Sequence, residues 1–334
     1  MLRVLLGVVA AITFFSQATA QHNITAEEAR ATLMDLAGKL EAGYMDPDIG
    51  AAYAAMLREN LGAGAYENLA DAKEFAAAVT EDIQAVNSDA HLTLNFAPPR
   101  EGDAPGAPPP PPSMDAYGET KWINDDVAYS EWLIFLGMPD ALDHARKIMT
   151  EYQGAKALII DLRKLPGGGL AELDILASYI FEAPTHLVTM NIREGMGGGM
   201  ASMFDGLPSM KRQPTTDGIM SWQHWTLSSD DKLGWDDTPV YILTSGKTAS
   251  AGEHFTLAFK TTGRGTVVGE TTAGAGHFGG PARIGKRFTA FIPVGETIDP
   301  KTGQGWEGAG IEPDVKIAAD DALEKALELI ATPL

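Results

Sequence analysis

Ser250 lies in the string LTSGKTASAGEHF, between the apolar run Val240–Thr244 and the start of a helical pattern. A serine hydroxyl is a weak nucleophile, which needs a neighbouring base, exposure at a sharp turn and donors for the oxyanion it creates. A strand-to-helix turn supplies exposure and helix N–H groups together. Ala249, Ala251 and Gly252 leave room for a substrate beside it. Taken alone, a serine at this place is more often a helix cap. A second element, Pro166-Gly167-Gly168-Gly169, follows the apolar run Ala157–Leu162. Its glycines let backbone approach a ligand, and N–H groups there could form the other half of an oxyanion hole; a ligand-free turn is the commoner case. Phosphate binding is disfavoured because the Walker spacing is missing. Asn87-Ser88-Asp89-Ala90-His91 offers an imidazole with a carboxylate two residues away, although a lone histidine is more often structural. Glu307 stands among glycines in GWEGAGIEPD, by itself only a turn. The chemistry these types could perform together is acyl transfer.

The elements that must position these residues divide in two. Residues 24 to about 88 carry three amphipathic patterns. Thr25 and Glu28 form a capping box ahead of Leu33, Leu36 and Leu40. Ile49, Tyr53, Met56 and Leu61 make a second stripe, and Phe75, Val79, Ile83 and Val86 a third, so a helical bundle is expected. A short strand, Leu92–Phe96, ends it. The tract 97–116, with prolines at 108–112, excludes helix and inner strand and reads as an extended linker. From residue 117 onward, strand, glycine turn and helix alternate, with further strands at Thr266–Gly269 and Arg287–Pro293; this pattern predicts an α/β domain with a covered sheet. Gly195–Ser209 mixes glycine with methionine, which suits a mobile lid or apolar substrate surface as well as a plain surface loop.

The 334 residues are 45% hydrophobic and 21% charged, enough for a real core. Met1–Ala20 has a basic start, an apolar run of about 12 residues and a small-residue end, the pattern of a secretory signal peptide cleaved after Ala20. The run is too short to span a membrane, which takes about 20 residues. The expected address is periplasmic or secreted, with no membrane span. The absence of cysteine rules out disulfides, a thiol nucleophile and cysteine zinc sites. A formal charge of −20 opposes nucleic acid as a partner.

In order along the chain, LIIDLRKLPGGG, LTSGKTASAGEHF, RGTVVGETTAGAGH and WEGAGIEPDV resemble the C-terminal processing (tail-specific) serine peptidase family, which includes the tricorn core and the interphotoreceptor retinoid-binding modules. The resemblance implies an α/β, crotonase-like (ClpP-like) spiral ββα core with an N-terminal helical bundle. It implies the boundaries 1–20 signal peptide, 21–96 helical cap ending in a short strand, 97–116 proline-rich linker and 117–334 catalytic domain. In the branch with a serine–lysine dyad, the lysine falls in the segment that reads Thr271-Thr272-Ala273-Gly274-Ala275-Gly276 here, where no lysine stands. The gap from His91 to Tyr117 also cannot hold the PDZ domain usual in that branch. The match is therefore to the tricorn-like branch without a PDZ domain. Carried across, Ser250 is the nucleophile, His91 the general base and Glu307 the carboxylate that orients it. The oxyanion donors are the backbone N–H groups of Ala251 and of Gly167 or Gly168.

The family's asparagine before the glycines is replaced here by Lys164-Leu165-Pro166. His254, four residues after Ser250 on its helix face, and His277, in a glycine loop, are alternative bases; packing and a substrate-loop role are their respective bland assignments. Glu270 and Asp299 are reserve carboxylates. The implied function is a serine-type endopeptidase or carboxyl-end-processing peptidase acting on exported or unfolded polypeptide, with no metal and no cofactor. A non-catalytic apolar-ligand-binding protein on the same fold, or a small ester or amide hydrolase, is the alternative. Oligomeric state is left open.

Overall fold

A computed structural model describes residues 22–98, 115–195, 198–228 and 233–332. The expected signal peptide and the proline run fall outside these residues. The chain divides into two compact units. The first contains the described residues up to 98 together with Gly280–Pro293, and the second contains residues 115–279 and those from Val294 onward.

In the first unit, helices α1 (Ala26–Gly43), α2 (Pro47–Gly62) and α3 (Ala72–Val86) begin at Thr25, Asp46 and Asp71. Each cap has extended backbone, and its side chain accepts first-turn N–H groups, Glu28 N at 3.2 Å for Thr25 and Asp48 N at 2.9 Å for Asp46. Leu33, Leu36 and Leu40 of α1 and Phe75, Val79 and Ile83 of α3 are buried as their spacing predicts. On α2 the buried face is Gly50, Tyr53, Ala54 and Leu57, a stripe turned from the expected one that keeps Tyr53. Val86 is exposed. Strand β1 (Leu94–Phe96), shorter than expected, pairs antiparallel with Phe288–Ala290.

The second unit runs β2 (Tyr117–Asn124), β3 (Val127–Trp132), α4 (Pro139–Glu151), β4 (Ala157–Asp161), α5 (Ala171–Ile180), β5 (His186–Arg193), α6 (Gly198–Asp205), β6 (Met210–Arg212), β7 (Ile219–Trp225), β8 (Val240–Thr244), α7 (Ala251–Thr262) and β9 (Gly265–Gly269). After these come β10 (His277–Ile284) and β11 (Phe288–Ile298), whose Gly280–Pro293 portions count with the first unit, then β12 (Val315–Lys316) and α8 (Ala322–Ala331). The main sheet has the order β12-β9-β8-β4-β3-β2, parallel except for β2. The run of β4 is apolar without alternation because both of its faces are covered. Leu158 and Ile160 join the core built with α4, α5 and α7, while Ala157 and Ile159 join the cluster that includes Ala322 and Ala326 of α8. A second, antiparallel sheet continues from Gly295–Ile298 of β11 through β5 and β7 to β6.

Adjacent parallel strands carry their following turns to the same sheet edge. β4 and β8 are neighbours, so the turns after them, residues 162–169 and 245–250, lie side by side. Three bonds stitch them: Ala249 N–H to Leu165 O at 3.0 Å, Thr248 Oγ1 to Leu162 O at 2.8 Å and Ser245 Oγ to Arg163 O at 2.6 Å. Two sequence motifs some eighty residues apart thereby become one structure.

Candidate active site

Ser250 stands immediately before α7 with φ 52° and ψ −117°. Ser250 forms a capping box with Glu253, but the caps Thr25, Asp46 and Asp71 all have negative φ and extended ψ, a backbone conformation that Ser250 does not share. A left-handed φ in a residue with a Cβ costs on the order of 1–3 kcal/mol and persists only where its surroundings enforce it. Glu253 does the enforcing. Its carboxylate is fully buried and accepts four hydrogen bonds, from Ser250 N–H (2.9 Å) and Ala275 N–H (2.8 Å) on Oε2, and from Thr272 Oγ1 and Gly274 N–H (both 2.6 Å) on Oε1. One side chain thus pins the serine turn to the loop after β9.

The glycine turn presses on the serine. A Cβ on Gly167 would lie 2.8 Å from Ser250 Cβ, and one on Gly168 2.0 Å from Phe135 O, while both glycines have strongly positive φ. Only glycine allows this approach. Phe135 holds the turn by donating its N–H to Gly167 O (3.0 Å) and accepting from Gly169 N–H (2.7 Å). Among the described residues, the N–H groups of Gly168 and Ala251 have no hydrogen-bond partner. Gly168, Ser250 and Ala251 line the same cavity of about 330 Å³. Gly167 backs the serine from outside the cavity wall.

The remaining wall is mostly apolar, with Met190, Met200, Met203, Phe204, Leu207 and Phe278. From the Gly195–Ser209 segment, Met200, Met203 and Phe204 of α6 and Leu207 after it therefore serve as cavity wall. His254 and His277 also face this cavity. Glu307 accepts the N–H groups of Gly276 (2.7 Å) and His277 (2.9 Å), and its carboxylate lies 3.7 Å from His277 Nδ1. The reserve carboxylates serve backbone: Glu270 accepts from Gly246 N–H (3.3 Å) and Ala319 N–H (3.2 Å), and Asp299 from Lys301 N–H (2.9 Å).

His91 belongs to the first unit. Its N–H donates to Asp89 Oδ1 at 2.9 Å, and its ring stacks on Phe291 with centroids 4.9 Å apart. Asp89 Oδ2 accepts from the buried Tyr44 hydroxyl at 2.8 Å, and desolvation followed by the Asp89 charge pushes that phenol's pKa far up. The segment around His91 is fixed on both sides.

A family model described as peptidase family S41 matches residues 128–317, more than half of the chain, and one described as the N-terminal domain of peptidase S41 in eukaryotic IRBP matches residues 18–120. The chain belongs to peptidase family S41. Solved structures share the fold of this S41 serine peptidase at low identity. A lipoprotein from Streptococcus agalactiae is 15% identical with a TM-score of 0.57, over 92% of this chain and 96% of that one. The photosystem II D1 C-terminal processing protease is 14% identical with a TM-score of 0.52, over 93% and 98%. The fold is the α/β, crotonase-like spiral core with an N-terminal helical region.

Three further residues of this S41 peptidase escape a sequence reading. Glu253 stands at the capping-box spacing from Ser250, but its bonds to residues 272–275 carry no sequence signal. Asp174 on α5 and His224 on β7 carry no local signal, yet His224 Nε2 lies 2.6 Å from Asp174 Oδ1, and His224 Nδ1 lies 2.8 Å from His254 Nε2. Desolvation by burial, and after it the His224 ring, hold the pKa of His254 well below its ordinary 6.5. Below pH 6.5 the unfolded chain therefore binds a proton that the folded chain refuses, and this group's contribution to stability falls as pH drops through that value. Urea unfolding at pH 7 and pH 5.5 should show a loss approaching about 1.4 kcal/mol per pH unit from this group. His254→Leu should remove that part of the slope; an unchanged slope would contradict the assignment.

Proposed function

We propose that Ser250 attacks the scissile carbonyl of exported or unfolded polypeptides, at internal or carboxyl-end positions, with His91 as base and Glu307 as its orienting carboxylate. The observation carrying this reading is the enforced left-handed Ser250 beside two N–H groups without partners, Gly168 and Ala251, on one cavity wall. As the hydroxyl adds to the carbonyl carbon, its proton passes to the His91 imidazole and negative charge develops on the carbonyl oxygen. The Gly168 and Ala251 N–H groups receive that charge, and each such donor contributes on the order of 3 kcal/mol to the transition state. The imidazolium then returns the proton to the leaving amine, and water repeats the sequence on the acyl enzyme. His91 is favoured over His254 because His254 already commits Nε2 to His224 in a buried relay, and over His277 because the family motif supplies the base before the core.

Peptide hydrolysis by three variants tests the base. His91→Ala should lower kcat/KM by roughly 10³-fold or more, whereas His277→Asn and His254→Leu should each retain activity within about 30-fold on the preferred peptide. A mild loss in His91→Ala beside a severe one in His277→Asn would transfer the role of base to His277.

A further inference from the structure

The Asp174–His224–His254 relay has no part in the proposed proton transfer, yet it ends on the wall of the cavity that holds Ser250. His224 is fully buried and His254 nearly so. Asp174 Oδ2 accepts from Ser209 Oγ at 2.9 Å, which leaves Oδ1 for His224. A carboxylate only accepts, so His224 places its proton on Nε2, toward Asp174. Its Nδ1 is then an acceptor, and His254 must donate from Nε2. In the uncharged tautomer pair, these two hydrogen bonds use the one proton that each imidazole carries. The lone pair left over is on His254 Nδ1, which makes no hydrogen bond among the described residues. Desolvation, which holds His254 in its neutral form, agrees with this order.

We propose that this relay fixes His254 as a hydrogen-bond acceptor in a mostly apolar specificity pocket. The pocket then selects a substrate side chain that is apolar in body but carries an O–H or N–H donor, tyrosine being the simplest case. The inference rests on the peptidase reading of the site. Methionine, leucine and phenylalanine side chains receive the aromatic body, while His254 Nδ1 receives the hydroxyl proton. A site built to bond a substrate hydroxyl discriminates strongly against the analogue lacking it, because its own polar group is then left buried and unpaired. His254 is the residue that meets the substrate; His224 and Asp174 are positioning residues that set its tautomer.

The experiment compares two peptides identical except for tyrosine or phenylalanine at the residue donating the scissile carbonyl. kcat/KM is measured on the full chain, and binding of both peptides to Ser250→Ala is measured by calorimetry. Tyrosine should be preferred at least about tenfold, mostly through KM, since the bond forms in ground state and transition state alike. His254→Leu should bring the ratio to about one. Asp174→Asn should reduce the ratio without removing phenylalanine turnover. Hydrolysis of both peptides at equal rates, or a tyrosine preference that survives His254→Leu, would overturn the proposal and leave the peptidase reading intact. Tyrosine-preferring binding to Ser250→Ala without hydrolysis by the wild type would support the pocket and remove the peptidase reading. Failure of both peptides to bind would end the proposal.

Discussion

Ser250→Ala is expected to lower peptide hydrolysis by about 10⁴-fold or more, because the serine, its base and its oxyanion donors act as a unit and loss of the nucleophile removes nearly all they achieve together. The residual rate comes from binding and from the Gly168 and Ala251 N–H groups. The strained backbone makes a companion prediction about stability. Alanine keeps a Cβ at φ 52°, so it inherits the strain, whereas glycine relieves it. Ser250→Gly should therefore be equally inactive but more stable than Ser250→Ala by about 1 kcal/mol, read by chemical unfolding. The serine turn would then be a place where stability is given up for geometry. Equal stability of the two variants would contradict that account of the turn.

The second large effect falls on Glu253, which touches no substrate-facing surface in the proposed mechanism. Glu253→Gln keeps size and shape but turns one acceptor oxygen into an NH₂ group. With the NH₂ at the Oε2 position both Ser250 and Ala275 N–H face a donor; at the Oε1 position Gly274 N–H does, while the Thr272 hydroxyl can turn to accept from the amide. A buried donor left without an acceptor costs about 1–3 kcal/mol and the remaining bonds lose a charged acceptor, so the loss should be about 2–4 kcal/mol. A drop in Tm of roughly 10 °C corresponds to that range for a unit of this size. Activity should fall by about 100-fold at temperatures where the protein is still folded, because the serine turn relaxes away from its aligned position. Thermal unfolding followed by single-temperature kinetics checks both parts. A variant with wild-type Tm and rate would show that the four hydrogen bonds are not what holds the turn.

The history of each residue explains what sequence could and could not show. Ser250 and the glycine turn were legible because each is a local pattern, a buried strand followed by small residues and a helix. Their convergence needed only the adjacency of β4 and β8. The first-unit helices were legible by cap and stripe, although the α2 stripe turned onto Leu57 because the neighbours, not periodicity alone, choose which side is buried. Glu253 was legible only as the capping-box partner of Ser250, since its other three partners lie at residues 272–275. The His224–Asp174 pair was hidden, being brought together from α5 and β7 by tertiary packing. Gly195–Ser209 has no periodicity that a sequence can offer, but its Met200, Met203 and Phe204 find a use as cavity wall once α6 forms. The parallel sheet is legible through unbroken apolar runs, whereas β5 and β7, in which half-buried positions are interspersed with buried ones, carry no such run.

The central claim is that Ser250 is an activated nucleophile, and the most direct measurement is covalent labelling by a fluorophosphonate with the adduct mapped by mass spectrometry. The account predicts a single adduct on Ser250 in the wild type and in His254→Leu, strongly slowed labelling in His91→Ala, and none in Ser250→Ala. Labelling of Ser250→Ala at the wild-type rate, or an adduct mapped to another residue, would contradict it.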